Sequence, residues 1–164
     1  MILLRTDRLL FRTHEARDEA AFIEMHTDPQ VRRYAGGRAW SPDEATTRFQ
    51  TQYLGKPHRT YGLWATVLKA EGTYVGMCGL SGMRPSPRLG YYIARPYWGR
   101  GLASEAASAF VGLGLGQLGV TRILADADKG NSASERILEK LGFRMFRDEL
   151  SEQGRIIRHF ELRR

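Results

Sequence analysis

The stretch PYWGRGLASEA, Pro96–Ala106, sets Gly99, Gly101 and Ala103 at alternating positions, puts Arg100 between the glycines, and then turns into an alanine-rich apolar run. Small residues at the mouth of a helix strip side chains from the backbone. The N–H groups can then converge on an anion such as a phosphate, helped by the positive end of the helix dipole. Three readings compete. A dinucleotide-binding fingerprint wants a third glycine where Ser104 stands, and it opens a series of βα units. A Walker-type loop wants a Lys-Ser or Lys-Thr pair entering the helix, and neither pair is there. A tight turn with close helix packing asks for small residues and no ligand at all.

The flanking sequence narrows the choice. Upstream, Leu4–Arg12 (LRTDRLLFR) alternates as a first strand, and His14–Asp28 reads as an amphipathic helix. Ser41 before Pro42, with Glu44 completing a capping box, starts a second helical region that Gly55 and Pro57 stop. Residues 61–70 and 73–83, rich in β-branched and aromatic residues, pair around Glu71-Gly72 as antiparallel strands, and Arg88–Arg95 follows as a third. After the loop, Leu102, Ala106, Phe110 and Leu118 share one helical stripe with Ala103, Ala107, Val111 and Leu115. Thr121–Ala127 is a further strand. Ser132–Phe143 is a short helix with a Ser132/Glu135 capping box, Gly142 as its left-handed terminator and Phe143 packing back on Leu138. Residues 144–150 and 155–163 close the chain as a hairpin around Gln153 and Gly154. This order is α+β or mixed, which argues against the doubly wound sheet that a dinucleotide fingerprint needs.

The 164 residues fit one domain, 1–164, and their 42% apolar and 26% charged content suits a globular chain. No apolar run reaches the roughly 20 residues of a membrane helix. Arg5, Asp7, Arg8 and Arg12 interrupt the start where a signal peptide would be apolar, and the lone Cys78 has no internal disulfide partner. The expected location is the cytoplasm. Net charge is +7, which favours an anionic partner such as a phosphorylated cofactor, nucleic acid or an acidic surface, or else marks a solvated arginine-rich surface. His14, His26, His58 and His159 lack metal-ligand spacing, so no metal is expected. Cys78 reads as a small buried strand residue, and Trp40, Tyr53 and Tyr61 as core in preference to an acceptor pocket.

The loop does not stand alone. Leu89–Ala106 (LGYYIARPYWGRGLASEA) together with Thr121–Phe143 (TRILADADKGNSASERILEKLGF) resembles the GNAT superfamily of acyl-CoA-dependent N-acetyltransferases, and within it the Rim-type branch, named for acetylation of ribosomal-protein amino termini. The resemblance spans nearly the whole chain. It implies a GNAT fold: one mixed, mostly antiparallel twisted sheet flanked by helices, with acyl-CoA bound at a splay between central strands. It also implies acetyl-CoA as co-substrate. The loop Trp98, Gly99, Arg100, Gly101, Leu102 and Ala103 would wrap the pyrophosphate, with Gly101 and Ala103 the most telling positions. Trp98 departs from the general pattern and suits this branch. The strand end Tyr92, Ile93, Ala94 and Arg95 would pair through its backbone with the pantetheine arm.

Acetyl transfer to an amine needs a neutral nucleophile, a donor to the oxyanion of a tetrahedral intermediate and a proton for the leaving thiolate. The resemblance gives the donor role to the Ile93 backbone. Many members supply the proton from a tyrosine at the position that here is Leu138, so that tyrosine is absent. In the Rim-type branch the asparagine and last serine of Asn131–Ser134 (NSAS) contact the cofactor and approach the sulfur, which implicates Asn131 and Ser134. Plain helix capping by Asn131 and Ser132, with Ser134 in solvent, is the alternative. Asp126, Asp128 and Glu149 are the base candidates beside water, and each also reads as an ordinary exposed carboxylate.

Three functions remain open at this level. The first is an acetyl-CoA-dependent N-acetyltransferase acting on a protein amino terminus or a small amine. A non-catalytic acyl-CoA-binding sensor or scaffold is the second, and an RNA- or ribosome-binding protein the third. No aromatic RNA-stacking motif is visible, so nucleic acid ranks last. A monomer or homodimer fits the length.

Overall fold

The computed structural model describes residues 1–56, 61–82 and 85–164. Eight strands form one sheet in the order β1-β2-β3-β4-β5-β6-β8-β7. They are β1 (Ile2–Arg5), β2 (Leu9–Arg12), β3 (Gly62–Leu68), β4 (Tyr74–Ser81), β5 (Arg88–Ile93), β6 (Arg122–Asp128), β7 (Arg144–Leu150) and β8 (Ile156–Arg163). Every neighbouring pair is antiparallel except β5 with β6. The helices are α1 (Glu19–Thr27), α2 (Pro29–Arg32), α3 (Pro42–Arg48), α4 (Leu102–Leu115) and α5 (Ser132–Lys140).

Strand alternation divides the core between the two faces of the sheet. On one face, Trp64 and Cys78 pack with Phe110 of α4 and Leu138 of α5. Phe11 and Phe110 meet edge to face with ring centroids 5.0 Å apart, and burying each ring contributes about 1.5–3 kcal/mol. On the other face, Ala65, Val67 and Met77 pack with Phe22 and Met25 of α1 and with Phe49. A bulge in β4 sits beside Gly76, where a Cβ would lie 2.0 Å from the Tyr92 carbonyl oxygen. Only glycine permits β4 and β5 to run that close.

Several elements differ in detail from the sequence reading. The single opening strand is a hairpin, β1 and β2, broken at Thr6–Arg8. There the Thr6 hydroxyl accepts from Leu9 N–H, and Glu105 of α4 accepts from Arg8 N–H, a distant contact that local alternation does not report. The first helix begins at Glu19, after a 3₁₀ turn over Ala16–Asp18. Ser41 caps α3 by accepting from Glu44 N–H at 3.1 Å, but the Glu44 carboxylate turns to Arg38 and Arg48 and leaves the box half made. That helix continues as a π turn, Phe49–Tyr53. Pro57, His58 and Met83 lie outside the described residues.

The cap of α5 also shifts by one residue. Asn131, not Ser132, is the N-cap, its side chain accepting from Ser134 N–H at 3.3 Å, while Glu135 reaches back to Gly130 N–H. The far end is as expected. Phe143 N–H donates to the Leu138 carbonyl and Gly142 N–H to that of Glu139, with Gly142 left-handed at φ +89.

Candidate active site

β5 and β6 pair only at Arg88 with Leu124 and Leu89 with Ala125, although β5 runs on to Ile93 and β6 to Asp128. Beyond Leu89 the strands part. Ala94 N–H donates to the Val75 carbonyl, and the Pro87 carbonyl accepts from Leu124 N–H. Even-numbered residues of this segment therefore face β4 and odd-numbered ones face β6. The N–H groups of Tyr91 and Ile93 look into the opening with no strand opposite. The Ile93 carbonyl, on the same side, accepts from Trp98 Nε1 at 2.7 Å.

This splay is the floor of a groove of about 840 Å³. The loop entering α4 forms one end. Gly99 and Gly101 are both left-handed, at φ +74 and +73, and nothing lies within 4 Å of the position a Cβ would take at Gly99. No side chain caps α4, so the N–H groups of its first turn are open to an anion. Arg8 ties the loop down, with Nη1 donating to the Arg100 carbonyl at 2.9 Å and Nε to Glu105 at 2.6 Å. Burial opposes ionisation of Glu105, yet hydrogen bonds from Thr6 and Arg8 hold its carboxyl below the usual range.

The groove brings together Tyr92, Ile93, Trp98, Gly99, Gly101, Leu102, Ala103, Asn131 and Ser134. Ala94, Arg95 and Arg100 are not part of its lining. Arg95 leaves to pair with Asp28 at 2.7 Å, and the Arg100 guanidinium sits over the Tyr97 ring. The cations that do line it include Arg136 and Lys140 of α5 and Arg33 on the opposite wall.

Sequence reasoning missed Tyr91. Its hydroxyl lies 2.7 Å from Ser134 Oγ, and burial pushes its pKa up to about 12, so it stays protonated at neutral pH. The only signal was its place in the strand entering the loop, next to Tyr92. Leu138 is buried in the core, and the tyrosine hydroxyl near Ser134 belongs to β5.

Of the candidate bases, only Asp126 lines the groove, and it is held by Arg88 and by His159 Nδ1 at 2.7 Å. Asp128 is paired with Arg155, and Glu149 stands exposed beside Arg147. Cys78 is fully buried, which raises its thiol pKa and leaves it inert. Trp40 and Tyr53 are half-buried and line a second cavity, while Tyr61 packs on the core. Among the described residues no group of three or more His, Cys, Asp or Glu side chains is placed to hold a metal ion, and no helix is long and apolar enough to cross a membrane.

Residues 8–144 match the acetyltransferase (GNAT) domain family. The chain belongs to that family. It is 34% identical over 146 residues to the uncharacterized protein YkkB of Bacillus subtilis, an alignment covering 85% of this chain and 83% of the relative. Against the uncharacterized N-acetyltransferase p20 of Bacillus licheniformis the identity is 27% over 169 residues, covering 96% and 92%. The crystal structure of a GNAT-family acetyltransferase from Bacillus anthracis superimposes with a TM-score of 0.86 at 22% identity, over 99% of this chain and 98% of that one. The GNAT fold is thus shared.

Proposed function

We propose that this acetyltransferase carries the acetyl group of acetyl-CoA to a primary amine, either a protein amino terminus or a small molecule, in the manner of the Rim-type branch. The observation that carries the reading is the parting of β5 and β6, which leaves the Ile93 N–H unpaired at the floor of a groove that ends in the uncapped start of α4.

Acetyl-CoA supplies an acyl carbon activated as a thioester. Gly99, Gly101 and the first turn of α4 hold its pyrophosphate, and the odd-numbered edge of β5 holds the pantetheine arm. Ile93 N–H donates to the acyl oxygen as charge builds there. Trp98, by holding the Ile93 carbonyl, fixes the orientation of that residue. Ser134 hands its proton to the departing thiolate and recovers one from Tyr91, whose raised pKa makes it take back a proton from water, balancing the one the amine releases there. The amine nitrogen bonds to the acyl carbon as the carbon–sulfur bond breaks, and its proton leaves through water. The one groove carboxylate, Asp126, is already held by Arg88 and His159. Such a site suits an amine that is partly neutral near pH 7. An α-amine, of pKa about 7.7–8.0 against about 10.4 for lysine, meets that condition.

The test is incubation with acetyl-CoA and a panel of peptide amino termini and small amines, with products read by mass and free thiol by absorbance. Acetylated amine with stoichiometric thiol release is expected. Coenzyme A binding with no transfer to any amine would leave a carrier of acyl-CoA in its place.

A further inference from the structure

A second cavity, of about 290 Å³, opens on the sheet face opposite α4 and α5. Its chemistry is set by arginine. Arg32, at the end of α2, is 8% exposed and stacks over the Trp40 ring at 4.3 Å. Its one hydrogen bond is a long one, from Nε to the Arg38 carbonyl at 3.4 Å, and among the described residues no carboxylate pairs with it. Arg48 covers the same ring at 4.5 Å and shares Glu44 with Arg38, so three guanidinium groups face one carboxylate. His26 stacks on Trp40 with ring centroids 4.3 Å apart, and both its ring nitrogens are buried with no hydrogen-bond partner. Burial, then the charge of Arg32 and of Arg48, pushes its pKa down to about 3, so it adds no cation at neutral pH and its unprotonated nitrogen can accept a hydrogen bond from a ligand.

A buried guanidinium without a counter-ion is costly unless something anionic completes it. Its planar fork matches a carboxylate, bound by two parallel hydrogen bonds. Ala35, Leu63 and Tyr92 line both this cavity and the cofactor groove. Tyr92 stands in β5 between Tyr91 and Ile93, its side chain packed on the opposite face from that of Tyr91. A molecule reaching the Ile93 edge from this side thus has its other end beside Arg32.

We propose that the cavity over Trp40 receives a carboxylate of the acyl acceptor, with Arg32 its main contact and Arg48 the second, so that the acceptor is an amine bearing a carboxylate. This rests on the acetyl-transfer reading, since it concerns the acceptor end of the same site. A free amino acid and the start of an acidic peptide share that chemistry.

Equilibrium binding is measured first, without turnover, by calorimetry on the full chain saturated with coenzyme A. The probes are γ-aminobutyrate, L-glutamate and a peptide amide beginning Asp-Glu, each beside its carboxamide counterpart. The acids are expected to bind at least about tenfold tighter than the amides. Arg32→Gln should abolish the difference, and Arg48→Gln should reduce it, with coenzyme A affinity unchanged. The response of γ-aminobutyrate and L-glutamate against that of the peptide separates a small acceptor from a peptide one. Equal binding of acid and amide by the parent protein overturns the proposal and needs no variant. The acetyl-transfer assay on the same panel then reads the other claim. Selective acid binding without any transfer overturns the catalytic reading while the cavity keeps its carboxylate, and transfer to amides and acids with equal kcat/KM overturns the acceptor assignment while catalysis stands.

Discussion

Tyr91 and Ser134 join hydroxyl to hydroxyl at 2.7 Å, across 43 residues of sequence, one from the parted edge of β5 and the other from the first turn of α5. Tyr91 Oη also lies 3.4 Å from the Ser134 carbonyl, so the helix start and the strand are pinned at one point. Each hydroxyl needs the other to stay satisfied in a half-buried place.

The pair acts as a unit if it delivers the proton to the thiolate. Ser134→Ala and Tyr91→Phe should each slow single-turnover acetyl transfer about tenfold to a hundredfold, the worth of one hydrogen bond of roughly 1.5–3 kcal/mol to developing charge. The double variant should be little slower than the worse single one, because the second substitution removes a partner that has already lost its role. Coenzyme A affinity should stay near the parent value, while the melting temperature falls by a few degrees, about the cost of one half-buried hydroxyl left without its partner, so the rates are compared well below the transition. Multiplying losses in the double variant would separate the two residues.

His26 makes stability depend on pH in a window that few other groups share. Its folded pKa of about 3 lies far below the ordinary imidazole value of 6.5. The unfolded chain therefore takes up a proton below pH 6.5 that the native protein refuses, and stability held above that pH is lost as pH falls toward 3. Between pH 6.5 and 5, before most carboxylates titrate, the free energy of unfolding should drop with a slope approaching 1.4 kcal/mol per pH unit. Urea unfolding at stepped pH measures it. A flat profile in that window would mean that His26 protonates in the native state.

Much of this architecture is local and shows in the sequence. Gly99 and Gly101 announce a left-handed loop, and Gly142 with Phe143 announces the end of α5, because backbone handedness depends on the residue itself and its immediate neighbours. The one-residue slip from Ser132 to Asn131 is local too, since both side chains are good caps and Asn131 is the one that accepts from Ser134 N–H. The rest is non-local. The break at Thr6–Arg8 is held by Glu105, Trp98 serves a carbonyl on the preceding strand, and the crowding of Arg32 and Arg48 over Trp40 joins α2, α3 and the segment between them. Resemblance reached the groove by a different route, through residue types at fixed spacing, and it named Arg95 for the strand end and Arg100 for the loop, residues whose side chains turn to Asp28 and to the Tyr97 ring.

Salt dependence distinguishes the cations that line the groove from those that do not. Coenzyme A affinity should weaken as ionic strength rises, because phosphate contacts at an open groove are screened within a Debye length of about 8 Å at physiological salt. Arg136→Ala should flatten that dependence, since Arg136 lines the groove. Arg100→Ala should leave it nearly unchanged, since Arg100 does not itself line the groove and its guanidinium is taken up by the Tyr97 ring. Titrations of the three proteins at several salt concentrations decide the point, and a flattened slope for Arg100→Ala would return that side chain to the phosphates.

Trp98 tests whether the oxyanion donor needs to be held in place. The indole is 48% exposed, so its hydrogen bond to the Ile93 carbonyl contributes little to stability by burial. Its value lies in geometry, because beyond the last β5–β6 pair the peptide plane of the Ile93 carbonyl is held on the β4 side alone, by Ala94 N–H to the Val75 carbonyl, and a donor aimed wrongly loses its preference for the transition state. Trp98→Phe keeps an aromatic ring while removing the N–H together with the smaller ring of the indole. The expected result is a fall in kcat of about threefold to tenfold, from the loss of roughly 0.5–1.5 kcal/mol of hydrogen-bond energy. Coenzyme A affinity should change less, since the loop glycines and the start of α4 remain. Hydrogen exchange should be faster in the variant than in the parent at the Ala94 amide, which shares a peptide plane with the Ile93 carbonyl and donates to the Val75 carbonyl, a local readout that a general loss of stability would not confine to that residue. If kcat holds while affinity for coenzyme A falls, Trp98 is a wall of the binding groove and the Ile93 plane is held by β4 alone.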